Sequence, residues 1–156
     1  MANFTVKHGG LSRFSAKVAS SESTNWTKGR LLTINSSNQI AVFSNSSTAN
    51  HQPCGVAMEN RIASTSVGPT VTLTRTGAPT GDRYSMILDA AVIVTDAMES
   101  GVSFNGGDLL YASTNGKITT SGNSTGPNNP RIGVALSDGA SNDSLRPLTM
   151  FFQVSY

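Results

Sequence analysis

Gly107–Leu136 reads GDLLYASTNGKITTSGNSTGPNNPRIGVAL, and Gly29–Met58, 78 positions earlier, reads GRLLTINSSNQIAVFSNSSTANHQPCGVAM. The two stretches align without a gap. Gly29 matches Gly107, Leu31-Leu32 matches Leu109-Leu110, Ile40 matches Ile118, and Gly55-Val56-Ala57 matches Gly133-Val134-Ala135. The loop between them follows the same offset, with Asn45-Ser46 against Asn123-Ser124 and Asn50 against Asn128. Self-similarity at a fixed period outranks local propensity, because both copies must then fold as one kind of unit. The period is half of the 156-residue chain.

Each copy predicts a strand (Leu31 to Ile34; Leu109 to Ala112), a tight turn and a second strand (Ile40 to Phe43; Lys117 to Thr120). Asn115-Gly116 in the second turn favours positive φ and is a strong hairpin signal. Ser37-Asn38 stands there in the first copy, and Asn is the next best residue for that conformation. A polar loop ends near Pro53 or Pro130, and Gly-Val-Ala follows, where the glycine predicts a bulge or a close backbone approach. Pro69-Thr70-Val71-Thr72-Leu73 then lines up with Pro147-Leu148-Thr149-Met150-Phe151 as a further β-prone strand in each copy. The copies span about 29–76 and 107–154.

The match extends upstream to aromatics, Trp26 before Lys28-Gly29 and Phe104 before Gly106-Gly107. Both read as core anchors beside a turn, since each buries a large apolar area; a stacking platform for a sugar or a base is the alternative. Phe14, Ala16 and Val18 alternate with polar residues as in a half-buried strand. Between the copies, Ala78–Asp82 is a turn or linker. The run Tyr84 to Val94 is the most apolar in the chain and predicts a central strand buried on both faces, or two strands bent at Asp89. No cap supports a helix through Asp96–Glu99.

Residues 1–12 carry Phe4 and Val6 among polar residues and end near Gly9-Gly10, the composition of an extended N-terminal arm that a partner surface orders. Asn3, Phe4, Thr5, Val6 and Lys7 are its candidate contact residues. A frayed terminus or an edge strand is the plainer reading. Residues 13–156 then form a single all-β domain, a compact sandwich or barrel-like body built from the two units.

Charged residues make up 13% of the chain, well below the roughly 25% of ordinary soluble domains. Gly, Ser, Thr and Asn solvate the surface instead. The net charge of +2 is dispersed, with none of the clustered basic and aromatic residues of a nucleic-acid binder. The N-terminus does not read as a signal peptide, and no apolar run approaches the ~20 residues that span a bilayer. Six Asn-x-Ser/Thr triplets, at Asn3, Asn25, Asn35, Asn45, Asn123 and Asn142, suit chance in so Asn- and Ser-rich a chain.

Groups for chemistry do not converge. The single cysteine, Cys54, stands where Ile132 stands in the other copy, as a small hydrophobe rather than a nucleophile. His8 and His51 have no metal-ligand spacing, and His51 faces Asn129 in the polar loop. Asp82, Asp89, Asp96, Glu99 and Asp108 form no recognisable pair, and Asp108 replaces Arg30, which suits an exposed strand start. The oxygen-rich loop holding Asp138 and Asp143 lacks the residue order of a calcium loop. No cofactor, metal or catalytic residue is expected.

The pattern Gly-Asp-Leu-Leu-Tyr, Asn-Gly-Lys-Ile, Ile-Gly-Val-Ala-Leu resembles the small head-decoration, or cement, proteins of tailed bacteriophages. The resemblance covers Phe104 to Leu136 best, then Trp26 to Met58. It implies a non-enzymatic virion protein, often trimeric, on the outer capsid surface, clamping neighbouring major capsid subunits. Partners would be the major capsid protein and further copies of the chain, with neither nucleic acid nor membrane. A carbohydrate-binding adhesion or fibre module, stacking sugars on Trp26, Tyr84 or Phe104, is the other class of reading. Residues that differ between the copies, Asp108 against Arg30, Tyr111 against Thr33 and Lys117 against Gln39, are expected to face solvent or a partner.

Overall fold

The computed structural model describes residues 4–9, 13–19, 25–44, 53–61, 83–87, 91–120, 130–140 and 149–151. Their regular structure is β apart from one short 3-10 turn. In order the strands are β1 Phe4–Gly9, β2 Arg13–Lys17, β3 Leu31–Ile34, β4 Ile40–Val42, β5 Gly55–Ala57, β6 Arg83–Ile87, β7 Ala91–Thr95, β8 Ser103–Phe104, β9 Leu109–Ala112, β10 Ile118–Thr119, β11 Arg131–Val134, β12 Gly139–Ala140 and β13 Thr149–Phe151. One 3-10 turn, Thr114–Gly116, links β9 to β10.

All the ladders are antiparallel. One sheet runs β2-β6-β5-β3-β4; the others run β10-β9-β11, β1-β7-β13 and β12-β8. The expected hairpins form, β3 with β4 through Ile34↔Ile40 and β9 with β10 through Ala112↔Ile118. Their turns use positive φ at Asn38 (57°), Asn115 (56°) and Gly116 (66°), as the residue types require.

The offset of 78 positions seen in the sequence reappears in the pairing. Leu31↔Val56 and Leu32↔Gly55 recur as Leu109↔Val134 and Leu110↔Gly133. Gly29 and Gly107 both have positive φ, 91° and 96°, and donate to the carbonyls of Ala57 and Ala135, each at 2.8 Å. Lys28 N–H donates to the Asn60 Oδ1 (2.7 Å), and Gly106 N–H to the Asp138 Oδ1 (2.8 Å). The Trp26↔Arg61 bridge has its counterpart in Phe104↔Gly139.

The correspondence also begins earlier than the sequence alignment, since β2 and β7 lie the same distance apart. Here the strands are exchanged. β1 pairs with β7, β2 pairs with β6, and Gly9↔Ala91 answers Arg13↔Ile87. The apolar run Tyr84 to Val94 is thus two central strands, β6 between β2 and β5, and β7 between β1 and β13. Both bury a large side chain, Met86 and Ile93. Residues 96–99 form no helix; Met98 bridges Ile118 in parallel. The strand expected at Pro69 to Leu73, the linker before β6 and the loop holding His51 lie outside the described residues.

Two apolar clusters hold the sheets together. One gathers Trp26, Leu32, Ile40 and Ala57 with Ala16, Val18 and Met86. The other gathers Phe104, Leu110, Ile118 and Ala135 with Ile93, and it also takes Leu31, Phe43 and Val56. Side chains alternate across a strand, so Leu32 faces one cluster and Leu31 the other. β3 is therefore buried on both sides.

Of the residues that differ between the stretches, Thr33 is buried, while Arg30, Gln39, Asp108, Tyr111 and Lys117 are half-buried. Arg30 Nη1 donates to the Asn115 carbonyl at 2.7 Å, where the turn over Thr114–Gly116 lies against Leu31 of β3.

Candidate functional site

The N-terminal segment proposed as an arm is placed within a sheet. Phe4, Thr5 and Val6 pair with Thr95, Val94 and Ile93, and the register slips between Val6 and His8. Lys7 is the extra residue of that bulge, released from pairing as bulged residues are. β1 is the outer strand of β1-β7-β13, so Phe4–Gly9 takes the edge-strand form. An outer strand presents one row of backbone donors and acceptors, the chemical equipment for adding a strand from another molecule. Asn3 lies outside the described residues.

Trp26 and Phe104 are each 3% exposed. The Arg61 guanidinium lies over the Trp26 ring, 4.9 Å from its centroid, and the two backbones exchange hydrogen bonds of 2.9 and 2.7 Å. Arg61 is itself buried. Such a desolvated cation–π pair is worth about 2 kcal/mol. It also covers the ring face, so Trp26 offers no platform to a sugar or a base. Arg61 was not legible as a core residue: its counterpart is Gly139, and nothing local distinguishes a buried arginine from a surface one.

Cys54 is half-buried, its Sγ 3.7 Å from the Leu32 carbonyl. Burial pushes the thiol above its ordinary range, and hydrogen bonding with backbone at Ile34 and Cys54 offsets that only in part. The nucleophilic thiolate is therefore disfavoured. Asp108 Oδ2 accepts from Asn105 N–H at 2.8 Å and closes the turn before β9; Asp138 does the same office for Gly106. Glu99 accepts from the Ser113 hydroxyl. Among the described residues no three His, Cys, Asp or Glu side chains stand together as metal ligands, and no helix is long and apolar enough to cross a membrane.

What distinguishes the surface is apolar. Leu109 and Leu136, 40% and 44% exposed, are the exposed large hydrophobics among the described residues. Leu109 pairs across the ladder with half-buried Val134, two residues before Leu136. A shallow hollow of about 350 Å³ lies elsewhere, between β2 at residues 14–17 and the turn at 37–39. Leu109 lies at the surface although its counterpart Leu31 is fully buried. The available signal was the Leu-Leu pair, which puts an apolar side chain on each face of the strand.

No model of a known protein family matches the chain, and no characterised protein matches it either.

Proposed function

We propose that the chain is a structural virion protein, a compact sandwich or barrel-like body of two duplicated β units that binds the outer surface of a phage capsid and bridges major capsid subunits. The observation that carries this reading is the Gly107–Leu136 stretch. Its shared residues serve turns and core: Gly107 for a positive-φ entry, Leu110 and Ile118 for the cluster, Gly133-Val134-Ala135 for the crossing strand. The duplication is supported by the recurrence of pairings and turn hydrogen bonds at one offset, and it extends to the exchanged strands β1, β2, β6 and β7.

A capsid protein of this kind needs edges and faces, not a deep site. Many copies on an icosahedral lattice are retained through multivalency, each contact being weak. β1, on the outside of its sheet, is the strand that a capsid subunit would extend. Shells lacking the protein test the reading. The full chain binds them stoichiometrically, and Lys7→Glu, at the unpaired bulge position, lowers occupancy while circular dichroism and the unfolding temperature stay as in wild type. Deleting residues 2–12 abolishes binding. Full occupancy with Lys7→Glu and with the deletion would remove β1 from the contact.

A further inference from the structure

The matched stretches are alike in pairing and unlike in what covers them. On the first, Leu31, Phe43 and Val56 are fully buried and half-buried Met58 packs beside them, all in the cluster of the second. On the second, the counterparts Leu109, Val134 and Leu136 are left exposed or half-exposed. Phe43 has Ser121 as its counterpart, outside the described residues.

The seat that receives the first face can be located. Gly116 N–H donates to the Phe43 carbonyl at 2.8 Å, the Gly116 backbone lies against Leu31, and Ile93 of β7 joins the same cluster. Seventy-eight positions earlier, Gly116 corresponds to Asn38 and Ile93 to Ser15. Asn38 and Ser15 line the 350 Å³ hollow. An empty seat on one unit and an uncovered face on the other are thus the two halves of a contact that the chain already makes once inside itself.

Charge distinguishes the internal contact from the open one. Inside the chain, Arg30 on the face is drawn to Asp96, which holds its guanidinium up against the larger lowering effect of burial. At the open contact the signs change over. The face carries Asp108 in place of Arg30, and the hollow carries exposed Lys17, the counterpart of Thr95, next to buried Val18, which stands in place of Asp96. The larger Asn38 in place of Gly116 keeps the second contact less intimate, since a Cβ at Gly116 would overlap Leu31.

We propose that the Leu109–Val134–Leu136 face of one chain docks into the hollow between β2 and the 37–39 turn of a second copy of the chain, with Asp108 opposite Lys17. The inference rests on the duplicated-unit reading above and is independent of the capsid. Because face and hollow are different surfaces, the contact is head-to-tail, and it makes a closed ring when the rotation per chain closes.

Sedimentation of the purified full chain tests it, with no capsid present. The wild-type chain sediments as one discrete multiple of 16.2 kDa across a wide concentration range. The double variant Leu109→Ser, Leu136→Ser sediments as a monomer with the wild-type unfolding curve. Lys17→Glu and Asp108→Arg each weaken assembly, and together they restore it; Arg30 at the matching turn shows that a cation fits there. A monomeric wild type, a multimer that survives loss of both leucines, or a joint reversal no better than the single ones overturns the proposal. Occupancy on empty shells is scored separately, so the capsid reading can fail while self-association stands, and the converse.

Discussion

The Leu31 backbone lies so close to Gly116 that a Cβ there would overlap the Leu31 carbonyl oxygen, and the glycine holds a φ of 66° that other residues avoid. Gly107 also has positive φ, 96°, but nothing within 4 Å of where its Cβ would go. The left-handed backbone alone costs about 1–2 kcal/mol for an L-residue. Gly107→Ala is therefore expected to lose about 1–2 kcal/mol in urea unfolding. Gly116→Ala, which adds a forced separation of the turn from β3, is expected to lose about 2–4 kcal/mol.

Leu31 and Leu109 occupy matched strand positions, and their burial differs from 0% to 40% exposed. Truncating a buried leucine costs about 2–5 kcal/mol, whereas a surface change stays within about 0.5 kcal/mol. In a chain diluted to monomer, Leu31→Ala is expected to destabilise in the first range and Leu109→Ala in the second. Equal losses would show that both faces are covered within one chain.

Much of this was written in the sequence, and the rest was not for a physical reason. Turn chemistry is local: Asn38, Asn115, Gly116, Gly29 and Gly107 announce their own backbone conformations, and the hairpins formed where those residues stand. The alternation at Phe14, Ala16 and Val18 likewise marked β2. Strand exchange is not local, because nothing in Phe4–Gly9 specifies Ala91–Thr95 as its mate over an intervening stretch of more than half the chain. The same limit separates Leu31 from Leu109, identical residues in matched strands whose burial depends on what packs above them.

Trp26 is the one tryptophan in the chain, so its fluorescence reports a single site. At 3% exposure and with the Arg61 guanidinium 4.9 Å from the ring centroid, it is expected to resist quenching by iodide and by glycans. Its emission should shift to longer wavelength only on unfolding. Trp26→Phe, which puts the residue of position 104 there, is expected to cost about 1–2 kcal/mol through lost ring area and a weaker cation–π contact. Ready quenching in the native state would reopen the stacking role.

Burial raises the Cys54 thiol above its ordinary range, and the sign of the pH effect follows. Below that range the folded and unfolded chains both carry the neutral thiol, and stability is unaffected. As pH rises the unfolded chain loses its proton first, so the folded state loses stability between the ordinary value and the raised one. Native Cys54 is expected to react slowly with a disulfide reagent at neutral pH and at the rate of a free thiol after unfolding. Cys54→Ser removes the dependence.

The capsid reading is tested most directly by counting copies of the full chain bound to phage shells that lack it, with the image of the shell locating them. The account predicts saturable binding on the outer surface at a fixed number of copies per lattice site, and shells that withstand a higher temperature once decorated. Shells that bind none of the chain at saturating concentration, or that bind it without any fixed position on the lattice, would contradict it.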